Sequence, residues 1–262
     1  MMKKYFIILM TTVILCSCHG KDKYAESKRL LLGTWKLVNI DGLPVETDES
    51  FVCTFDSLGN EIYACGQYNE KGESEWMEGK NYTYKMKKNT IKVKGSDPLG
   101  KNWSFDMVVV GIDEKQLLYS VKNMKKNDVQ FGNYHDYTLK RVTTDCSKDI
   151  KGIWVGQEML HSPSHHADIY CWEFLEGGKY NFYYKDSTGT FVYKEENDGR
   201  YFLYDNFLVC NFKNDLKTNS TGKIFECWNI TVKPETMVWS NYKGQEGVIR
   251  YSLNRVDKVP VH

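Results

Sequence analysis

The sequence lacks the short motifs that mark the common catalytic sites. It has no G-x-S-x-G nucleophile elbow, no H-E-x-x-H zinc motif and no glycine-rich phosphate loop. After the N-terminal segment there is no C-x-x-C pair, so the cysteines do not have the spacing of a metal site. We therefore expect a protein that is not an enzyme and that requires no cofactor.

Proline is scarce, and the chain has neither long apolar segments nor an excess of one charge. There are 5 prolines, and 35 basic residues balance 34 acidic ones. Without a basic patch, a nucleic acid is not expected as a partner. No segment shows a sustained helical stripe of apolar residues, whereas aromatic residues make up 14% of the chain and 18 of them are tyrosine. This composition favours strands.

The N-terminus has the layout of a secretory signal. Lys3 and Lys4 precede an apolar run over residues 5–15, which is too short to span a bilayer but fits the apolar core of a signal peptide. The run ends in the sequence LCSC, which resembles the bacterial lipobox. That resemblance implies that residues 1–17 are removed and that Cys18 carries the lipid, since stable anchoring takes more than one acyl chain.

Two alternatives to lipidation at Cys18 stay open. Cys16 could be the modified residue, although the bulky Leu15 before it does not suit cleavage. The segment could also be an ordinary cleaved signal. Residues 18–29 are polar and are interpreted as a tether. Because only Asp22 is acidic directly after Cys18, both faces of a bacterial outer membrane stay open as the location of the anchored protein.

Three motifs recur in the same order, which indicates an internal duplication. Residues 32–35 recur as 151–154, and residues 55–59 recur as 174–178 at the same spacing; residues 137–142 recur as 251–256 in a slightly shorter second copy. We therefore divide the chain into two domains, with the remaining segments assigned as a linker and a tail. The domains are residues 30–143 and 150–257, the linker is 144–149 and the tail is 258–262.

Within each copy the apolar residues alternate with polar ones. Residues 84–87 and 91–94 alternate apolar side chains with lysine across a turn at Lys88-Asn89, which predicts a half-buried hairpin. We count about eight short strands per copy, with turns about every ten residues, and this spacing indicates antiparallel barrels or sandwiches. A short helical turn is expected before the first strand of each copy, over residues 25–31 in the first.

Export would place six further cysteines in an oxidising compartment, where disulfides persist. A three-residue hairpin loop at Leu58-Gly59-Asn60 would set Cys53 opposite Cys65, and we expect these two to form a disulfide. Cys210 and Cys227 are a second candidate pair across a longer loop.

Taken together, the chain resembles a tandem lipocalin-like lipoprotein of the kind found in Bacteroidetes. Such barrels begin with Gly-x-Trp, and an arginine of the last strand stacks on the tryptophan at the closed end. The resemblance therefore implies two lipocalin-like barrels, with structural roles for six residues at their bases. These residues are Gly33, Trp35, Arg141, Gly152, Trp154 and Arg255.

Ligand binding is expected in the second copy. The alternating rings of Tyr180, Phe182 and Tyr184 could line its lumen, and the histidine-rich loop of residues 160–168 could lie at its mouth. Three imidazoles and one carboxylate of that loop could also hold a metal ion. These candidate metal ligands are His161, His165, His166 and Asp168.

Two tripeptides beginning with Asp-Ser resemble the O-glycosylation acceptor of exported Bacteroidetes proteins, with Ser57 and Ser187 as the acceptors. The leading functional hypothesis is a lipoprotein, anchored in the outer membrane, that binds a small apolar or amphipathic ligand or a glycan at a barrel mouth. The alternative is an interaction module with filled barrels that docks other envelope proteins.

Overall fold

A computed structural model describes residues 19–69, 71–96, 100–132, 134–142, 146, 148–159, 169–193, 198–212, 223–242 and 248–260. The predicted signal peptide with Cys18, and the predicted metal ligands His161, His165, His166 and Asp168, lie outside these residues. Within the described ranges, no helix is both long enough and apolar enough to cross a membrane.

The first half of the chain opens on a helix and continues in strands. It contains α1 (His19–Leu31), β1 (Gly33–Ile40), β2 (Leu43–Pro44), the 3-10 turn η1 (Thr47–Glu49), β3 (Phe51–Phe55), β4 (Asn60–Tyr68), β5 (Ser74–Lys87), β6 (Thr90–Ser96), β7 (Asn102–Ile112), β8 (Gln116–Lys126), β9 (Val129–Gln130) and β10 (Asp136–Arg141). The second half contains β11 (Gly152–Glu158), β12 (Ile169–Leu175), β13 (Lys179–Lys185), β14 (Phe191–Tyr193), β15 (Gly199–Tyr204), β16 (Phe207–Phe212), β17 (Phe225–Val232), β18 (Thr236–Tyr242) and β19 (Val248–Val256).

Each half forms a closed antiparallel barrel of eight strands. In the first barrel the order is β1-β3-β4-β5-β6-β7-β8-β10, and β10 pairs again with β1. In the second it is β11-β12-β13-β15-β16-β17-β18-β19, closed by pairing between β19 and β11. The prediction of an all-β fold with two tandem barrels is confirmed. Closure gives each of the eight strands of a ring a paired neighbour on both sides, although β13 and β15 pair over only two residues each.

Helix α1 extends further than the sequence pattern predicts, because it includes the polar residues that were interpreted as a tether. Its stability comes from its last turn rather than from an apolar stripe. The Arg29 side chain donates hydrogen bonds to Glu26, one turn earlier, and to Glu114 of the first barrel. Leu30 and Leu31 are buried, so the end of the helix is fixed to the barrel base.

The base of the first barrel is closed by a stacked tryptophan and arginine. Trp35 is fully buried and its indole Nε1 donates to the carbonyl of Leu31 at 2.8 Å. The guanidinium carbon of Arg141 lies 4.1 Å from the ring centroid of Trp35. The same guanidinium donates to the carbonyls of Leu32 and Glu114, at 2.6 and 2.8 Å. The arginine therefore joins the helix end, the stack and a loop between strands.

The second barrel repeats this base. Arg255 lies 4.2 Å from the Trp154 ring, and Trp154 Nε1 donates to the carbonyl of Ile150 at 2.7 Å. The glycine before each tryptophan is needed for two reasons. Gly33 and Gly152 have φ of 117° and 111°, a region that disfavours other residues. A Cβ at either position would also lie within 3 Å of the arginine Nη1.

The predicted disulfide between Cys53 and Cys65 is wrong. Cys53 lies opposite Tyr63, and Cys65 lies opposite Phe51, so the two cysteines are offset along the hairpin. The structure forms no bond between them. Cys53 is instead a buried thiol of the first barrel's core.

The reason is a turn that is centred one residue earlier than predicted. The Asp56 carboxylate accepts hydrogen bonds from the backbone N–H groups of Leu58 and Asn60, both at 2.8 Å. The Asp56 N–H donates to the Asn60 carbonyl. Asn60 is therefore paired, and the loop is residues 57–59 instead of 58–60. This is an Asx turn, which the side chain of aspartate stabilises locally.

The second candidate pair is also wrong, for a different reason. Cys210 lies opposite Glu226 and Cys227 lies opposite Val209, so the two cysteines point to opposite faces of the sheet. Cys210 belongs to the interior of the second barrel, whereas Cys227 is packed between the barrels.

The two barrels are joined by a buried apolar contact, which we call the inter-barrel cluster. It consists of Val52, Ala64, Trp76, Phe207, Val209, Phe225 and Cys227. Polar contacts surround it. The side chain of Asn211 accepts from the N–H of Trp76 at 3.1 Å and donates to its carbonyl at 2.8 Å. Lys36 donates to Asn229 at 2.8 Å, and burial lowers the pKa of Lys36 to about 8. The barrels therefore pack as one body.

Candidate functional site

The lumen of the first barrel contains a cavity of about 410 Å³. Side chains from seven of the eight barrel strands, and one from η1, line it. The lining residues are Leu37, Ile40, Glu49, Phe51, Glu61, Tyr63, Tyr82, Trp103, Phe105, Tyr119, Val121, Met124 and Tyr137. A volume of this size falls within the range of about 300–1,000 Å³ that is typical of small-molecule sites.

Strand alternation explains why these side chains meet. Along β4, Glu61 and Tyr63 point inward, whereas Ile62 points to solvent and Ala64 points to the second barrel. The inward residues of the neighbouring strands face them in register, with Phe55 and Tyr82 on either side of Glu61. A period of two residues therefore builds the lumen wall.

A single carboxyl group lies deep among these rings. Glu61 is only 1% exposed. Within the described part of the chain, its Oε2 atom has no hydrogen-bond partner. Burial raises the pKa of Glu61 to about 8, because the charged form loses its hydration. A buried carboxyl oxygen without a partner is costly for stability, and groups of this kind are concentrated at functional sites.

Aromatic rings form the walls above Glu61. Phe51 and Tyr63 stack with centroids 4.6 Å apart, and Tyr119 and Tyr137 stack at 5.2 Å. Burial raises the pKa values of the Tyr63 and Tyr119 hydroxyls well above their usual range. The rings therefore stay neutral throughout the physiological pH range, and they line the lumen together with Glu61.

One glycine makes room for this wall. Tyr82 pairs with Gly95 on β6, and a Cβ at Gly95 would lie 2.2 Å from the Tyr82 ring. The ring thus lies directly against the backbone of the neighbouring strand, as aromatic residues do when they cover a strand glycine. Any larger residue at position 95 would move Tyr82 into the lumen.

The rings predicted to line a site in the second barrel are packed instead. Tyr180 is buried with its ring 6.2 Å from Phe174. Phe182 packs against Trp172 at 5.5 Å. Tyr184 lies further along β13 and is half-buried. Two tilted indoles continue this packing, with the ring centroids of Trp172 and Trp239 5.0 Å apart. The cavity lined by rings is therefore in the other copy.

The duplication shows why the two lumens differ. Phe55 pairs with Glu61, and the equivalent Phe174 pairs with Tyr180. Likewise, Cys53 lies opposite Trp35 on the neighbouring strand, whereas Trp172 lies opposite Trp154. The first barrel thus has a carboxyl and a thiol at two inward positions where the second barrel has rings. The smaller side chains leave the volume that becomes the cavity.

The comparisons with known proteins identify no family. No family model matches the chain, and no curated protein matches it in sequence. Among solved structures, it is similar to a protein of unknown function from Nostoc punctiforme, assigned to the DUF3598 family. The identity is 10%, the TM-score is 0.21, and the match covers 86% of this chain and 96% of that one. The site is therefore interpreted from its own geometry.

A second, larger depression lies between the barrels. It has a volume of about 730 Å³, and its charged lining includes Glu73 and Glu75 of the first barrel and Lys179 and Arg200 of the second. Opposite charges alternate there. Within the described ranges, no group of three or more histidine, cysteine or acidic residues could hold a metal ion.

The two serines predicted as glycosylation acceptors occupy hairpin turns of similar local structure, at different positions in the two copies. Ser57 and Ser187 are exposed and follow Asp56 and Asp186. The Asp186 carboxylate accepts hydrogen bonds from the N–H of Thr188, as Asp56 does in its own turn. The Asp-Ser sequence thus has a local role in both turns, and the exposed serine hydroxyls stay accessible to a transferase.

Proposed function

We propose that this protein is a non-enzymatic lipoprotein of the cell envelope whose first barrel binds a small amphipathic ligand in its lumen. The observation that supports this function is a ring-lined cavity of about 410 Å³ with a buried carboxyl group. Most of the wall is apolar, whereas Glu61 provides one polar contact. A site of this kind matches amphipathic molecules, because the apolar wall supplies affinity and the polar group fixes orientation.

The second barrel has a supporting role in this proposal. Among its described residues, the inward rings pack against one another, as is common for small barrels. The alternative function, a module that docks other envelope proteins, is favoured by this filled barrel and would not require the lumen of the first one.

A cavity-filling substitution separates the two functions. We expect Val121→Phe to weaken binding of the neutral fluorescent probe N-phenyl-1-naphthylamine by at least about tenfold, because the added ring occupies the lumen. Val121 lines the cavity from β8. Fluorescence titration measures the affinity, and thermal unfolding checks that the variant is folded.

Val110→Phe is the matched control, since Val110 is 72% exposed on the neighbouring strand β7. It should bind the probe as the unchanged protein does. If the unchanged protein does not bind the probe, or if folded Val121→Phe binds it with unaltered affinity, the lumen is not the binding site and the docking function is preferred.

The lipid anchor is a separate part of the proposal and depends on the lipobox-like N-terminal sequence. Cys18→Ala is expected to abolish incorporation of a labelled acyl chain and to release the protein from the membrane fraction, because no other residue would accept the lipid. Cys16→Ala is the control and should be labelled normally. Loss of labelling in Cys16→Ala with retention in Cys18→Ala would move the lipid to the earlier cysteine.

A further inference from the structure

Two carboxyl groups, and among the described residues no basic side chain, line the lumen of the first barrel. Glu61 lies at its depth, and the exposed Glu49 of η1 is a second carboxylate on its lining. Among the described residues that line the cavity there is no lysine, arginine or histidine. An anionic ligand would therefore find no basic partner there and would oppose ionisation of Glu61, whereas a cation would favour it.

Aromatic side chains surround the same space. Five of the lining residues are tyrosine or tryptophan, and two more are phenylalanine. The face of such a ring carries partial negative charge, which attracts a cation within about 6 Å of the centroid. A carboxylate enclosed by ring faces is a recognised arrangement for binding a weakly hydrated ammonium group, since both contributions act on the same charge.

We propose that the lumen selects an organic cation, an amphipathic molecule whose ammonium group lies against the Glu61 carboxylate. This inference rests on the proposed ligand-binding function and names the class of ligand. A cation would supply the partner that the buried Oε2 atom lacks, and would offset the cost of desolvating the carboxylate. The apolar remainder of the ligand would contact the upper wall, toward Phe105 and Val121.

The proposal predicts how affinity depends on pH. The titratable groups that face Glu61 come from several strands and from η1, and are Cys53, Tyr63, Tyr84, Tyr119 and Glu49. Burial raises the pKa of the Cys53 thiol and of the tyrosine hydroxyls above their usual range. These groups stay neutral below pH 8, so Glu61 is the group in the wall that titrates there.

With a pKa of about 8, Glu61 carries a proton at pH 6 that it must release before it can pair with a cation. The affinity for a cation of fixed charge is therefore expected to rise with pH, by about tenfold per unit between pH 6 and 7, and to level off above pH 8. A neutral ligand should show no such dependence.

The experiment compares two ligands of the same shape. Benzyltrimethylammonium has a fixed positive charge, and neopentylbenzene is its neutral carbon isostere. Their affinities are measured by displacement of N-phenyl-1-naphthylamine from the unchanged protein, Glu61→Gln and Val121→Phe, each at pH 6, 7 and 8. Glutamine keeps the size of the side chain but cannot become negative.

We expect the cation to bind the unchanged protein at pH 8 at least about tenfold more tightly than its isostere, which corresponds to about 1.4 kcal/mol. Glu61→Gln should remove this preference and the pH dependence while it keeps affinity for neopentylbenzene. Equal affinities of the two ligands, or an unchanged preference in Glu61→Gln, would overturn the choice of a cation and leave ligand binding intact. If the probe binds in the lumen but neither ligand displaces it, the choice of a cation is overturned. If the unchanged protein does not bind the probe, or if Val121→Phe binds the probe and both ligands with unaltered affinity, the proposed ligand-binding function itself fails.

Discussion

Arg141→Met should lower the free energy of unfolding by about 3 kcal/mol, because a cation that bonds to several backbone carbonyls is lost. Arg141 donates to the carbonyls of Leu30, Leu32 and Glu114, and also covers the Trp35 ring. Methionine retains apolar contact with the ring but has no hydrogen to donate. The three carbonyls would therefore lose their donor together.

Urea denaturation measures this change, and Arg200→Met is the matched control. Arg200 also lies over a ring, 5.6 Å from the centroid of Phe202, but it is exposed on the barrel surface. Its replacement should change stability by less than about 0.5 kcal/mol. Equal effects of the two substitutions would show that Arg141 contributes only as a surface charge.

Trp76→Ala is expected to have a still larger effect, of about 3–5 kcal/mol, because it removes the largest side chain of the inter-barrel cluster. Trp76 is 1% exposed and its ring lies 5.9 Å from both Phe207 and Phe225. Its indole Nε1 donates to the hydroxyl of Tyr204 at 3.3 Å. The cavity left behind would be open to water at the boundary between the barrels.

The same variant tests whether the barrels unfold together. We expect the unchanged protein to unfold in one transition and Trp76→Ala to show two, since the contact that couples the barrels is weakened. Trp103→Ala is the control, because Trp103 is half-buried at the lumen of one barrel only. A single transition in Trp76→Ala, with stability equal to that of Trp103→Ala, would contradict coupling through the cluster.

The architecture was accessible from the sequence because it depends on local patterns. Alternation with a period of two, together with the repeated Gly-x-Trp and the late arginine, specifies the inward faces, the first strand and the last strand of each barrel. The disulfide was not accessible in the same way. Predicting it required knowing the centre of the hairpin turn to within one residue. The hydrogen bonds of the Asp56 side chain place that centre one residue earlier than the sequence pattern predicts.

The sequence pattern predicted a ligand site in the second copy, whereas the candidate site described above lies in the first. Tyr180, Phe182 and Tyr184 were noticed as a stripe of rings, and the same strand of the first copy is where Glu61 and Tyr63 line the cavity. The signal that could have found Glu61 was the repeat itself, which places an acid where the second copy has a ring. The contacts between the barrels left no such signal, because they join residues far apart in the chain.

The inter-barrel cluster joins unlike faces of the two repeats, and this has a consequence for assembly. The first barrel uses the outer face of β3 to β5, whereas the second uses that of β15 to β17. A head-to-tail contact between repeats does not close on itself, so it could in principle add further copies into a filament. To accept a further copy, the first barrel would need a surface like the one that the second barrel buries in the inter-barrel contact. Four residues of that surface are Phe202, Tyr204, Val209 and Asn211. At the equivalent positions of the first barrel, the matching hairpin register gives Lys85, Lys87, Lys92 and Lys94. Burying these four charges would be costly, so the lysines disfavour the addition of a further copy by the same contact.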